Sequence, residues 1–328
     1  MTGSNSISKM NDLGKESVTW LEIDESAAGQ RIDNFLIRHL KGVPKSHLYR
    51  ILRSGEVRVN SRRVDATCRL EMGDKVRIRP LRLAAKPAEA GSARPVTPQL
   101  QQAVLFEDEA LLVIDKPSGM AVHGGSGISR GVIEQLRLER PESRFLELVH
   151  RLDKETSGVL LLAKKRSALT KLHAMMRAGE VEKHYFALVK GAWKDEKRAV
   201  KLKLHKYLTT EGERRVSVTE DGQAAHTIFY LRQALPGYTL LEAELKTGRT
   251  HQIRVHLAHL GYPIAGDDKY GDFPLNKALA KQGLKRMFLH AFSLAFVHPS
   301  TGERLRLEAP LPKDLSRFVN SLNKAAPV

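Results

Sequence analysis

A carboxylate placed two residues after an arginine, in a short polar turn between two apolar runs, is the part of this chain best suited to chemistry. The turn is residues 150–158, His150-Arg151-Leu152-Asp153-Lys154-Glu155-Thr156-Ser157-Gly158. The runs on either side, 145–149 and 159–163, read as buried strands. A polar turn between core strands is a mount on which a rigid scaffold holds reactive groups. Asp153 there is either a nucleophile or proton acceptor, or only the acid of an Asx-type turn. Three further segments accompany it. Residues 116–127 follow a strand and carry His123 in a glycine-rich stretch. Residues 183–191 form a strand containing Tyr185. Residues 248–257, which include His251, Arg254 and His256, follow a strand and read as a helix capped by Thr250.

The elements that must position these groups follow from periodicity. Apolar, strand-like runs occur at 111–115, 145–149, 159–163, 185–189, 226–231, 238–245 and 288–297. Helical spacing occurs at 132–139 and at 168–177, where Leu169, Leu172 and Met176 line one face. Strands outnumber helices and do not alternate with them regularly. That predicts an α+β fold: a mixed, mostly antiparallel central sheet with flanking helices.

A smaller α/β unit precedes it. Ile32, Phe35 and Leu36 mark one helix. Residues 46–52 mark a second, with Ser46 as N-cap and Gly55 just past its end. Strand-like alternation follows at 57–60 and 75–79. Between the units, 83–98 holds three prolines and no sustained period, as a linker does. The predicted organisation is a disordered tail at 1–18, a small domain at 19–82, the linker, and a large domain at 99–328.

Composition narrows the partners. Lys plus Arg outnumber Asp plus Glu by 54 to 37, a formal charge of +17. A surface so basic attracts a polyanion, and nucleic acid is the commonest one. The single cysteine, Cys68, excludes an intramolecular disulfide and a multi-cysteine metal site. No apolar stretch approaches the ~18 residues of a membrane span, and the polar N-terminus has no signal-peptide core. The expectation is the cytoplasm, away from membranes.

The basic charge concentrates in the small domain. From residue 41 to 86 there are thirteen Lys or Arg against four Asp or Glu, with Lys45, Arg50, Arg53, Arg58, Arg62 and Arg63 around the second helix and its following turn. The blocks Gly29-Gln30-Arg31-Ile32-Asp33, 46–51, 55–60 and 73–76 together resemble the ribosomal-protein S4-like RNA-binding domain. That resemblance implies structured-RNA binding through helix and turn, with Arg31, Lys45, Arg50, Arg53 and Arg58 as contacts.

The large domain carries a second resemblance. Residues 116–127, 150–158, 183–191 and 248–257 are similar to the motifs of the RluA-type family of RNA pseudouridine synthases, over about 200 residues. With the small domain in front, the likeness is to the branch acting on large-subunit (23S) ribosomal RNA. The resemblance implies the pseudouridine synthase fold, isomerisation of uridine within RNA, no cofactor or metal, and a monomer. It makes Asp153 the essential carboxylate, which attacks C1′, adds to C6, or takes a proton from C2′; the residues do not separate these routes. Arg254 becomes its charge partner, since a guanidinium stays charged and holds a carboxylate. Tyr185 becomes the aromatic that stacks on the target base. Arg151 becomes the residue filling the gap left by the flipped uridine, and His123 belongs to a loop near bound RNA. The competing readings are a synthase acting on transfer RNA and a non-catalytic RNA-binding ribosome-assembly factor.

Two other patterns lead elsewhere. His251, His256 and His259 lack zinc-protease spacing and a completing cysteine, so hydrogen bonding or packing accounts for them. Residues 123–127 lack the Gly-Lys-Ser/Thr of a phosphate-binding loop. The chain also has no Gly-x-Ser-x-Gly elbow with which they could make an esterase.

Overall fold

The computed structural model describes residues 18–25, 27–40, 43–80, 100–124, 130–143 and 145–324. The predicted tail (apart from Val18), the linker and the glycines at 125 and 127 lie outside the described residues. The chain divides into two compact units, one within Met1–Val96 and the other within Thr97–Val328.

The first unit contains β1 (Thr19–Glu22), α1 (Ile32–His39), α2 (Lys45–Ser54), β2 (Val57–Val59) and β3 (Lys75–Ile78). Its strands pair antiparallel in the order β1-β3-β2. The i, i+3, i+4 apolar residues of α1 and α2 (Ile32, Phe35 and Leu36; Leu48, Ile51 and Leu52) bury against Val57, Val59, Val76 and Ile78. Ser46 is not the N-cap of α2. The helix starts one residue earlier, behind Pro44 at φ −58°, and no side chain caps it. Gly55 does end it, at φ +74°, the left-handed conformation that glycine adopts without strain.

The second unit follows a short 3₁₀ turn, Leu100–Ala103. In chain order its elements are β4 (Val104–Glu107), β5 (Leu111–Lys116), α3 (Val132–Glu139), β6 (Glu147–Leu148), β7 (Ser157–Ala163), α4 (Arg166–Ala178), β8 (Glu182–Lys190) and β9 (Lys197–Leu208). Then come β10 (Arg214–Val218), β11 (Gln223–Leu235), β12 (Tyr238–Leu245), α5 (Gln252–His259), α6 (Phe273–Lys281), β13 (Leu289–Val297), β14 (Arg304–Glu308) and α7 (Lys313–Lys324). The strands form one sheet in the order β10-β9-β11-β12-β8-β13-β7-β5-β4, with β14 on β13 and β6 on β7. The pairing of β13 with β7 is parallel; the others are antiparallel. The fold is therefore α+β with a mixed, mostly antiparallel sheet, as expected.

The centre of the sheet is covered on both faces, which explains its unbroken apolar runs. Along β5, Leu112 and Ile114 join the core under α3 and α7, while Leu111 and Val113 join the one under α4. Along β7, Leu160 and Leu162 divide from Val159 and Leu161 in the same way. The run 145–149 enters the ladder only over Glu147–Leu148. Among the described residues no helix is long and apolar enough to cross a membrane.

The turn 150–158 leads from β6 into β7. Gly158 is required where β7 meets β13. Its φ is +110°, and a Cβ there would lie 2.1 Å from the Ala291 carbonyl oxygen. Only a glycine lets the strand leave the turn in register with its parallel neighbour.

Candidate active site

The turn before β7 is braced from below. Lys116, at the end of β5, is fully buried, and its Nζ donates to the carbonyls of Pro117, Met120 and Lys154 at 2.8, 2.7 and 3.1 Å. Burial pulls this ammonium down to about 7. Ser118 Oγ donates to the Glu155 carbonyl at 2.7 Å, and Gly119 N–H donates to the Lys154 carbonyl at 2.9 Å. Asp153 closes the turn through its backbone carbonyl, which accepts from Thr156 N–H at 3.2 Å. Its side chain is thereby released from the turn and reaches Arg254 instead.

Arg254 comes from α5. That helix begins at Gln252 rather than behind Thr250. His251 is the N-cap, at φ 54° and ψ 19°, with no side-chain cap. The buried side chain of Gln252 anchors the start. Its Oε1 accepts from Thr247 Oγ1 and Arg249 N–H at 2.7 and 3.0 Å, and its Nε2 donates to the His226 carbonyl and Thr227 Oγ1 at 3.0 and 2.9 Å. A non-glycine residue in the left-handed region is strained, and here the strain turns His251 toward the site.

The side chain of Arg254 is 3% exposed. Its Nη1 donates to Asp153 Oδ2 at 3.3 Å, while Nε and Nη2 donate to Asp267 Oδ2 and Oδ1 at 2.8 and 2.6 Å. Burial opposes the guanidinium charge, but the hydrogen bonds and charge of Asp267, followed by those of Asp153, raise its affinity for the proton above the ordinary value. Asp267 mirrors this: burial pushes its carboxyl up, and Arg254 more than offsets that, holding it below the usual range. His251 sits beside the pair, Nε2 at 3.8 Å from Asp153 Oδ2 and Nδ1 at 2.8 Å from Tyr270 Oη. Burial lowers its imidazole against the pull of Asp153, so it favours the neutral ring.

Asp153, Arg151, His123, His251 and Arg254 line one cleft of about 940 Å³. Lys206, Tyr207, Arg214 and Arg215 of the β9–β10 hairpin form its other wall. The hairpin is tied to residues 266–271: Val216 N–H donates to Tyr270 Oη at 2.9 Å, and Arg215 Nη1 donates to the Lys269 carbonyl at 3.1 Å. Tyr185, on β8, does not line the cleft. It is 7% exposed, and burial first and the Asp153 charge second raise its phenol, so it stays protonated.

Residues 110–259 match the family described as RNA pseudouridylate synthase. The chain is 51% identical to the Ribosomal large subunit pseudouridine synthase C of Escherichia coli K12 over 317 residues, covering 94% of this chain and 98% of that protein. It is 51% identical to the protein of that name from Pasteurella multocida over 310 residues (94% and 95%), and 49% identical to that of Haemophilus influenzae over 321 residues (97% and 100%). The solved structure of Human RNA Pseudouridylate Synthase Domain Containing 4 superposes with a TM-score of 0.56 at 27% identity, covering 68% of this chain and 94% of that one. The chain belongs to the RNA pseudouridine synthase family.

Four residues singled out in the synthase sequence, His123, Arg151, Asp153 and Arg254, meet at the cleft, and Tyr185 adjoins Asp153 from within the core. The remaining five lie in the first unit. Arg31 is the N-cap of α1 and pairs with Asp33 at 2.6 Å. Lys45, Arg50 and Arg53 are exposed on α2, and Arg58 lies on β2 with Nε 3.3 Å from the Gly55 carbonyl. Among the described residues no group of three or more His, Cys, Asp or Glu could hold a metal ion. Sequence reasoning missed Asp267 and the basic hairpin; it gave His251 hydrogen bonding or packing, and the ring does bond Tyr270 Oη, but its place beside Asp153 was not foreseen. The hairpin had a signal: apolar Val200, Leu202 and Leu204 alternate with Lys201, Lys203 and His205. Asp267 had none, because nothing local tells it from Asp268 beside it.

Proposed function

We propose that this synthase converts uridine to pseudouridine in large-subunit ribosomal RNA, with Asp153 as the reacting carboxylate. The observation that carries the reading is the single 3.3 Å contact from Arg254 Nη1 to Asp153 Oδ2 at the floor of a basic cleft. The names of the relatives support the ribosomal substrate.

In the isomerisation the N1–C1′ bond breaks, the uracil turns, and a C5–C1′ bond forms; C5 releases its proton and N1 gains one. Every route needs an ionised carboxylate against the ribose or the base. Arg254 pairs with the Asp153 carboxylate through Nη1. The target uridine must leave its stack to reach it, at a cost of a few kcal/mol. Arg151, exposed at the cleft, fills the gap it leaves. Tyr185, a neutral phenol packed in the core beside Asp153, is given the stacking role from the motif resemblance, and the entering base must displace part of its cover to meet the ring. His123 and the hairpin cations hold phosphates near the cleft. The first unit is an S4-like anchor, with Lys45, Arg50, Arg53 and Arg58 toward the RNA backbone and Arg31 held to Asp33. The enzyme works as a monomer in the cytoplasm.

Tritium release from 5-tritiated uridine in ribosomal RNA tests the chemistry. Asp153→Asn is expected to fall to background, and equal release from parent and variant would sink the assignment. Mapping pseudouridines in RNA from cells lacking the protein tests the substrate. Sites missing from large-subunit RNA support it. Sites missing only from transfer RNA favour that substrate instead, and an unchanged map favours a non-catalytic assembly factor.

A further inference from the structure

Arg254 meets two buried or half-buried carboxylates and gives them different parts of its guanidinium, while the exposed Asp268 touches Nη2 only at 3.4 Å. Asp267 takes the Nε–Nη2 edge at 2.8 and 2.6 Å. Asp153 receives Nη1 alone, on one oxygen, at 3.3 Å. Asp267 is also the more firmly held of the two. Its side chain is 1% exposed against 27% for Asp153. Its Oδ1 accepts two backbone N–H groups as well, from Lys269 at 2.8 Å and Tyr270 at 3.0 Å.

The segment carrying it has little freedom. Asn276 of α6 accepts from Gly266 N–H at 2.9 Å and donates to the Asp267 carbonyl at 2.7 Å. A Cβ on Gly266 would lie 2.2 Å from the Arg286 carbonyl oxygen, and one on Gly271 would lie 2.2 Å from that of Asp267. Asp267 is therefore a fixed post, and the guanidinium plane is set by it.

A guanidinium and a carboxylate left to themselves close into a two-pronged fork that engages both carboxylate oxygens. Were Arg254 to close on Asp153 in that way, the reacting carboxylate would be tied down. We propose that Asp267 is a positioning residue: it captures the fork of Arg254, so that Asp153 is stabilised by one contact and keeps an oxygen for the substrate. It also neutralises most of a buried cation before RNA arrives, which a single half-exposed partner would do less well. The inference rests on the reading of Asp153 and Arg254 as the reacting pair.

A double-mutant cycle tests it, using the full chain, single-turnover tritium release and a separate RNA-binding measurement. Asp267→Asn is expected to lower the rate by about 100-fold, the scale of a small misplacement at a reacting centre, with RNA affinity unchanged. In an Arg254→Gln background the same substitution should cost nothing more, because Asp267 acts through Arg254. Asp267→Glu keeps the charge but moves the post, so it should fold and still lose rate. This second variant decides the matter if the first does not fold. A full rate in Asp267→Glu or in Asp267→Asn overturns the proposal, as does a loss that adds independently to that of Arg254→Gln. Asp153→Asn is measured alongside. If that variant is active the underlying reading fails, whereas an inactive Asp153→Asn with a fully active Asp267→Asn removes only this role of Asp267.

Discussion

Arg254 is a buried cation with three acidic partners, Asp267, Asp153 and the exposed Asp268, and its geometry matters as much as its charge. A lysine at that position carries the same charge on a single nitrogen. It cannot present one edge to Asp267 and another to Asp153. Arg254→Lys is therefore expected to lose about 100-fold or more in tritium release. A variant with parental activity would mean that charge alone suffices. Asp153 and Arg254 could be named as a pair only through the motif resemblance, since they stand 101 residues apart. His251 illustrates the opposite failure: its left-handed backbone and its 3.8 Å approach to Asp153 are products of the β12–α5 connection, which no spacing rule encodes.

At the scale of elements, the reactive turn depends on how β7 meets β13. Gly158→Ala places a Cβ against the Ala291 carbonyl oxygen at a positive φ. The expected outcome is a loss of roughly 3 kcal/mol or more in denaturant unfolding, with reduced activity from the displaced turn. Unchanged stability and rate would show that the two strands tolerate separation. The core strands were legible because both faces are buried and the runs are continuous. β9 and β10 were passed over although β9 alternates apolar and basic residues over 200–205, because both carry charge on a face turned to solvent and lack a continuous apolar run. α7 was overlooked although Leu315, Phe318, Val319 and Leu322 sit at helical spacing, and all four are buried.

The whole molecule responds to salt and to pH. The excess of 54 basic over 37 acidic residues makes RNA binding depend on counterion release. Replacing Lys45, Arg50, Arg53 and Arg58 together with Gln should flatten the plot of log affinity against log salt by roughly 0.7–0.9 for each phosphate that is no longer neutralised. An unchanged slope would remove the first unit from the RNA interface. Acid sensitivity comes from the second unit. His256 and His290 are fully buried, and burial lowers each ring from 6.5 to about 4. Between those values the unfolded chain binds protons that the folded one refuses. Stability is thus complete above pH 6.5 and falls as the pH drops toward 4, by up to about 3 kcal/mol per ring. Both nitrogens of His256 lack a hydrogen-bond partner. The gap between unfolding midpoints at about pH 7.5 and about pH 5 should accordingly narrow in His256→Leu, where His290 keeps its own share, and an equal gap in parent and variant would exclude this ring as a cause.

The sequence by itself determined the α+β class, the apolar strands of the core, the basic character of the chain and the motifs that led to Asp153, Arg254, Tyr185 and Arg151. Those properties are local or compositional: periodicity records which faces are buried, and charge adds up wherever it lies. Only the tertiary structure decided that Lys116 braces the turn, that the β9–β10 hairpin walls the cleft, and that Asp267 rather than Asp268 holds the arginine. These depend on contacts between segments far apart in the chain, where a difference of one residue exchanges a buried carboxylate for an exposed one.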